Sequence, residues 1–148
     1  MRTDDTARDV ENASVTLEGG MHFVGEVGGF RVDTDADESF GGAGCGPQPL
    51  RLLLLGVVGC TAMDVISILR KKRRRASGLE VEACGSRVDE HPKVYGAIEL
   101  VYRVRGEGVD PKAVERAIAL FEARYCPAIA MVGKAARIES RYEIEEAD

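Results

Sequence analysis

The chain contains no tryptophan, and aromatic residues make up only 5% of its 148 positions. That scarcity argues against base-stacking platforms and against sugar sites built from aromatic rings. Two histidines and four cysteines are present, but they form no CxxC pair and no Cys/His cluster, so local spacing predicts no metal site. The most apolar stretch, Leu52 to Met63, is about half the ~20 residues of a membrane span, and Asp64 ends it. The first twelve residues mix charges without an apolar centre, unlike a secretory signal. What remains is the composition of one ordinary soluble domain, 45% hydrophobic and 30% charged. Its net charge of −5 weighs against a dedicated nucleic-acid binder. A cytoplasmic location is expected, where cysteines read as thiols rather than as a disulfide framework.

Residues 1–12 read as a frayed lead-in and 13–148 as a single domain. Three short strands are predicted at Ser14 to Leu17, His22 to Glu26 and Phe30 to Asp33, separated by Gly19-Gly20 and Gly28-Gly29. From Asp33 to Gly46 the chain is acidic and then glycine-rich, which predicts a long loop of the functional or mobile kind. A helix from about Leu50 to Arg75 comes next. Its first half is apolar all round and is expected to be buried on every side. Gly56 and Gly59 inside it each cost about 1 kcal/mol against alanine, a cost offset by close approach of another backbone. The run Arg70 to Arg75 complements the helix dipole at a solvated end; its alternative is an anion or nucleic-acid patch, which moderate salt would abolish.

Alternation at Leu79 to Cys84 and Val94 to Val104 predicts an antiparallel pair joined near His91-Pro92. Asp110-Pro111 is a helix start, with a carboxylate at the N-cap and proline behind it. Val114, Ala117, Ile118, Phe121 and Tyr125 come at helical spacing as one buried stripe. Cys126-Pro127 interrupts that helix and opens a shorter one, about Ala128 to Ala135, before a last strand from Arg137 to Ile144. Segregated strands and helices of this kind make an α+β fold. Cys126 stands at an N-cap, where free amides and the helix dipole favour a thiolate. Cys60 has no such neighbours. Each cysteine alone reads equally as a small buried hydrophobe.

The segment Gly56-Val57-Val58-Gly59-Cys60-Thr61-Ala62-Met63-Asp64-Val65, followed by Ile66-Ser67-Ile68-Leu69-Arg70, resembles the central helix of the OsmC/Ohr family. Glu90-His91-Pro92-Lys93-Val94-Tyr95, Glu115-Arg116-Ala117-Ile118 and Arg124-Tyr125-Cys126-Pro127 resemble further family segments, in order from about Ala13 to Glu145. The resemblance implies an OsmC-like α+β fold of antiparallel sheets packed on two central helices, assembled as an intertwined homodimer with two sites at its interface. It implies thiol-dependent reduction of organic hydroperoxides as a defence against oxidative stress, with Cys60 as the peroxidatic thiolate and Cys126 as the resolving thiol. An external dithiol would reset the pair, and no metal or organic cofactor is called for.

The family's characterised peroxidases activate the thiolate with an Arg held by a Glu. Here the Glu position holds Arg51, and the Arg position after Gly19-Gly20 holds Met21. Arg51 reads either as a substitute charge reaching from a partner chain or as an exposed helix-start residue; nine residues of helix separate it from Cys60 by about 13 Å. His91 reads as a turn residue or as a proton donor to the leaving alkoxide, and His22 as a strand residue. Cys45 and Cys84 match no family position, and Cys45 in its loop is the readier to oxidise adventitiously. Asp64, one turn after Cys60 on the same face, reads as a capping or pairing group, since a carboxylate beside a thiol opposes its ionisation. The rival to an enzyme is a non-catalytic relative holding a small hydrophobic ligand.

Overall fold

Glycine pairs set the first sheet. Gly20 (φ 56°), Gly28 (φ 57°) and Gly29 (φ 81°) take the left-handed backbone that tight hairpins require. They connect β1 (Ala13–Gly19), β2 (His22–Val27) and β3 (Phe30–Thr34) as an antiparallel meander in chain order. The structure is a computed structural model that describes residues 10–71 and 76–147. Most of the expected lead-in, and Lys72 to Arg75 of the basic run, therefore lie outside the described residues.

Leu17 pairs with Phe23, Val15 with Gly25, Gly25 with Val32, and Val27 with Phe30. Paired residues point to one side of a sheet, so Val15, Leu17, Phe23, Val27, Phe30 and Val32 share a face. Within the chain much of that face is bare: Val15, Leu17, Val27 and Phe30 are exposed. His22 lies in β2 as expected and meets Asp33 at 3.2 Å, while Arg31 holds the same carboxylate with two bonds of 2.7 and 3.0 Å.

The segment after β3 is tied rather than loose. The buried Asp35 carboxylate accepts from the amides of Ala36, Ala43 and Cys45 at 2.8, 3.0 and 3.1 Å. Those amides, Cys45's foremost, hold its carboxyl below the usual aspartate range. The turn is close enough to demand glycine at Gly42, where a Cβ would lie 1.6 Å from the Ala36 carbonyl oxygen.

By its internal contacts the chain divides into two compact units, the first ending at Leu52 and the second beginning at Leu53. Helix α1 (Pro49–Lys71) is continuous for 23 residues, so the sequence-based estimate of its apolar length was short: by length and composition it is able to span a membrane, as core helices of water-soluble folds also are. The expectation of burial on every side is corrected. Only the row Val57, Thr61, Val65 and Leu69, spaced by four, is buried, while Leu53, Leu55 and Met63 are 46%, 63% and 72% exposed. Nor does another backbone approach Gly56 or Gly59, whose missing Cβ positions face open space. Only that stripe of the helix is fully covered, with half-buried residues beside it.

The second sheet has the order β4 (Ala76–Arg87), β5 (Tyr95–Gly106), β6 (Arg137–Glu146). β4 and β5 pair antiparallel as the alternation predicts, with Leu79 opposite Val104 and Ala83 opposite Leu100. β5 and β6 pair parallel, which departs from the all-antiparallel expectation. The cause is the connection: helices α2 (Pro111–Leu120) and α3 (Pro127–Val132) carry the chain back across the sheet, and a helical crossover returns it in the same direction. Ile98, Leu100, Tyr102 and Val104 line the fully buried side of β5, and α2 contributes Ala113, Val114, Ala117 and Ile118 to the core. Asp110 caps α2 as expected, accepting from the Lys112 amide at 3.0 Å. The fold is α+β.

Candidate active site

Two local rules bring Cys126 inward. Proline at 127 has no N–H to donate and pushes the residue before it out of the helical region, and Cys126 is extended at φ −82°, ψ 105°. The chain reaches that point through one wide turn, Phe121–Tyr125, closed by the Cys126 amide on the Phe121 carbonyl at 2.8 Å, a bond spanning five residues instead of four. The extra residue rotates the register. Tyr125, expected on the buried stripe, is 55% exposed, and Cys126 is 2% exposed in its place.

Cys60 is carried by α1, adjacent to the buried row residue Thr61, and is half-buried. Asp64 lies one turn later on the same side, also half-buried. The fold brings these two together with Cys126: the sulfurs of Cys60 and Cys126 and a carboxylate oxygen of Asp64 all lie within 4.8 Å of one another. All four cysteines are free thiols. Spacing along the chain places Asp64 beside Cys60 but gives no sign of Cys126, which lies 66 positions beyond Cys60.

The electrostatics of Cys126 differ from the N-cap expectation. Cys126 does stand at the N-cap position of α3, and the amides of Ile129 and Ala128 favour its thiolate, but burial outweighs them and pushes the thiol up, with the neighbouring Cys60 adding to the shift. Cys126 is thus held as a thiol.

Behind the pair runs a polar chain that the sequence did not disclose. The Thr61 hydroxyl and the Tyr102 phenol are 2.8 Å apart, and Tyr102 donates to Glu122 Oε1 at 2.7 Å; Ser140 donates to the same oxygen. Burial, reinforced by the Glu122 carboxylate, holds the Tyr102 phenol far above its ordinary value, so it remains a donor. Glu122, Ser140 and Tyr142 also line a groove of about 430 Å³ with Glu115, Ile118, Ala119 and Arg141. A signal for Glu122 did exist. It continues the four-residue row Val114, Ile118 with a carboxylate where an apolar residue belongs.

The supporting candidates are more peripheral. Arg51 is exposed in the first turn of α1 and belongs to the first unit. His91 is exposed in the β4–β5 connection before a cis Pro92, and among the described residues no hydrogen bond or ion pair joins it to either cysteine. Cys84 is exposed on β4, and Cys45 is exposed with its thiol pushed up by partial desolvation and then by the Asp35 carboxylate.

Comparison with known proteins agrees with this architecture. YhfA of Escherichia coli K12 is 34% identical over 126 residues, covering 84% of this chain and 91% of that protein. A hypothetical protein of Aquifex aeolicus VF5 superposes with a TM-score of 0.84 at 26% identity, over 95% of this chain and 100% of that one. An organic hydroperoxide resistance protein OsmC of Legionella pneumophila shares the fold, with a TM-score of 0.67 at 14% identity over 90% of this chain and 96% of that one. The sequence model of the OsmC-like protein family matches residues 41–141, a span that holds both clustered cysteines, and the chain belongs to that family.

Proposed function

We propose that this protein is a cysteine-based hydroperoxide reductase. The observation that carries the reading is the convergence of Cys60 and Cys126, 66 positions apart, to sulfurs within 4.8 Å. Their unequal exposure supports the division of roles. Cys60, the half-buried one, is reachable and attacks the distal peroxide oxygen, releasing the alcohol and becoming a sulfenic acid. Cys126, buried beside it, then condenses with that sulfenic acid, forming the disulfide and releasing water. An external dithiol restores both thiols. Apolar residues around Cys60 on α1 favour an organic hydroperoxide over hydrogen peroxide.

The working form in this proposal is a cytoplasmic homodimer in which residues 13–148 act as one domain. Its support is apolar surface that one chain leaves bare: Leu53, Leu55 and Met63 on α1, Val15, Leu17 and Phe30 on the meander, and open space over Gly56 and Gly59. A second copy supplies the close backbone that those glycines anticipate. Neither half of the family's Arg–Glu pair is matched, so Arg51 or His91 of either copy is left to support Cys60.

Peptide mapping under non-reducing conditions, before and after one equivalent of cumene hydroperoxide, tests the reading. A Cys60–Cys126 disulfide forming within seconds is expected. Cys60→Ser abolishes peroxide consumption, while Cys126→Ser reacts once and stalls as a sulfenic acid. Both cysteines still free after many minutes would remove the enzyme and leave a ligand-binding relative of the family.

A further inference from the structure

The three-member cluster has a capacity that peroxide chemistry does not use. Cys60, Asp64 and Cys126 present two sulfurs and one carboxylate oxygen inside a 4.8 Å span, on two elements that fix them independently. Zinc bonds sulfur at about 2.3 Å and carboxylate oxygen at about 2.0–2.2 Å, so a tetrahedral ion separates such ligand atoms by about 3.5–3.8 Å. The observed cluster, within 4.8 Å, needs to contract by at most about 1.3 Å at its widest pair to reach that geometry. Two thiolates and one oxygen suit a borderline-soft divalent cation rather than calcium or magnesium, which take oxygen alone. Half-buried Cys60 and Asp64 leave an entry path.

We infer that the reduced protein binds one zinc-class divalent cation through Cys60, Asp64 and Cys126, and that cation and hydroperoxide compete for the same two sulfurs. The competition rests on the hydroperoxide reductase reading; the binding site does not. Loading the cation releases the two thiol protons to solvent. Oxidation reverses it: the two thiolates lose two electrons and join as a disulfide, and the hydroperoxide takes those electrons with two protons to give alcohol and water. The cation, left with one carboxylate, departs. Asp64 serves as the third ligand.

The test uses anaerobically reduced protein carrying Cys45→Ser and Cys84→Ser, titrated with Co²⁺ and followed by its thiolate-to-cobalt charge-transfer and tetrahedral absorption bands. One Co²⁺ per chain, displaced by Zn²⁺, is expected. Cys60→Ser is expected to lose the charge-transfer signature of the pair, and Asp64→Asn to weaken binding at least about tenfold, with folding of each checked by circular dichroism. No charge-transfer band in the parent, or a band unchanged in Cys60→Ser, would overturn the site. A second arm adds cumene hydroperoxide to Zn²⁺-loaded protein, where disulfide formation is expected to slow in proportion to occupancy. Rapid disulfide formation with no Co²⁺ binding sinks this inference alone, and Co²⁺ binding with thiols inert to peroxide sinks the reductase reading alone.

Discussion

The two three-stranded sheets have the same number of strands and opposite fates for their apolar faces. In β4–β6 the alternating side chains Ile98, Leu100, Tyr102 and Val104 are fully covered within the chain. In β1–β3 the corresponding row is apolar from Val15 and Leu17 to Phe30 and stays largely exposed. The strands of both obey the same period-two rule. The difference lies in the connections: β5 leads into a helical crossover that brings its own cover, whereas the meander leads into a tied loop with nothing to bury. The second sheet has its apolar face covered within the chain, and the first does not.

The comparison can be broken first where it is strongest. Leu100→Ala in the covered sheet should cost about 2–5 kcal/mol, read as a lower urea midpoint. Leu17→Asp on the bare face should instead act on association, converting a dimer to monomers in sedimentation velocity while the α-helical signal persists; an unchanged sedimentation coefficient would show that no second copy covers that face. Tyr102→Phe removes the hydroxyl shared by Thr61 and Glu122 and leaves a buried threonine oxygen without its partner. It should cost about 1–3 kcal/mol in the same urea assay, less than Leu100→Ala.

The smallest effect belongs to Asp35, and pH reveals it. Its folded carboxyl lies below its unfolded value, so its contribution is present above the ordinary aspartate range and is lost as pH falls through the folded pKa. Asp35→Asn should flatten that acid-side loss in urea midpoints measured against pH. Midpoints with the same acid slope in both proteins would remove the Asp35 clasp as a stabilising element.

Local chemistry was readable from the sequence wherever it acts over a few residues. The hairpin glycines, the Asp110-Pro111 start and the alternation of β5 all reappear in place, as does the α+β class. Long-range outcomes were not readable. Apolar residues around α1 show what seeks burial, but not whether the cover belongs to the same chain, and so Leu55 and Met63 were expected inside. The parallel β5–β6 pairing depends on where the crossover lands. Cys60 and Cys126 were singled out from their contexts and a family pattern, and Asp64 beside Cys60 from its four-residue spacing, while the approach of Cys126 to both and the Thr61–Tyr102–Glu122 chain depend on tertiary register. Tyr125 failed because a single extra residue broke the helical count.

That extra residue makes the position of a thiol a matter of arithmetic. Each residue turns an α-helix by about 100°, so inserting one further position within 121–125 would leave every upstream core contact of α2 intact and swing the cysteine off the Cys60 side. Such a lengthened chain should fold with nearly unchanged helicity yet be unable to close a Cys60–Cys126 disulfide on oxidation, a result readable by intact mass after alkylation. The wide turn works as a spacer one codon long. Among relatives of this fold, the length of that segment would separate chains that can join the two sulfurs from chains that merely possess them.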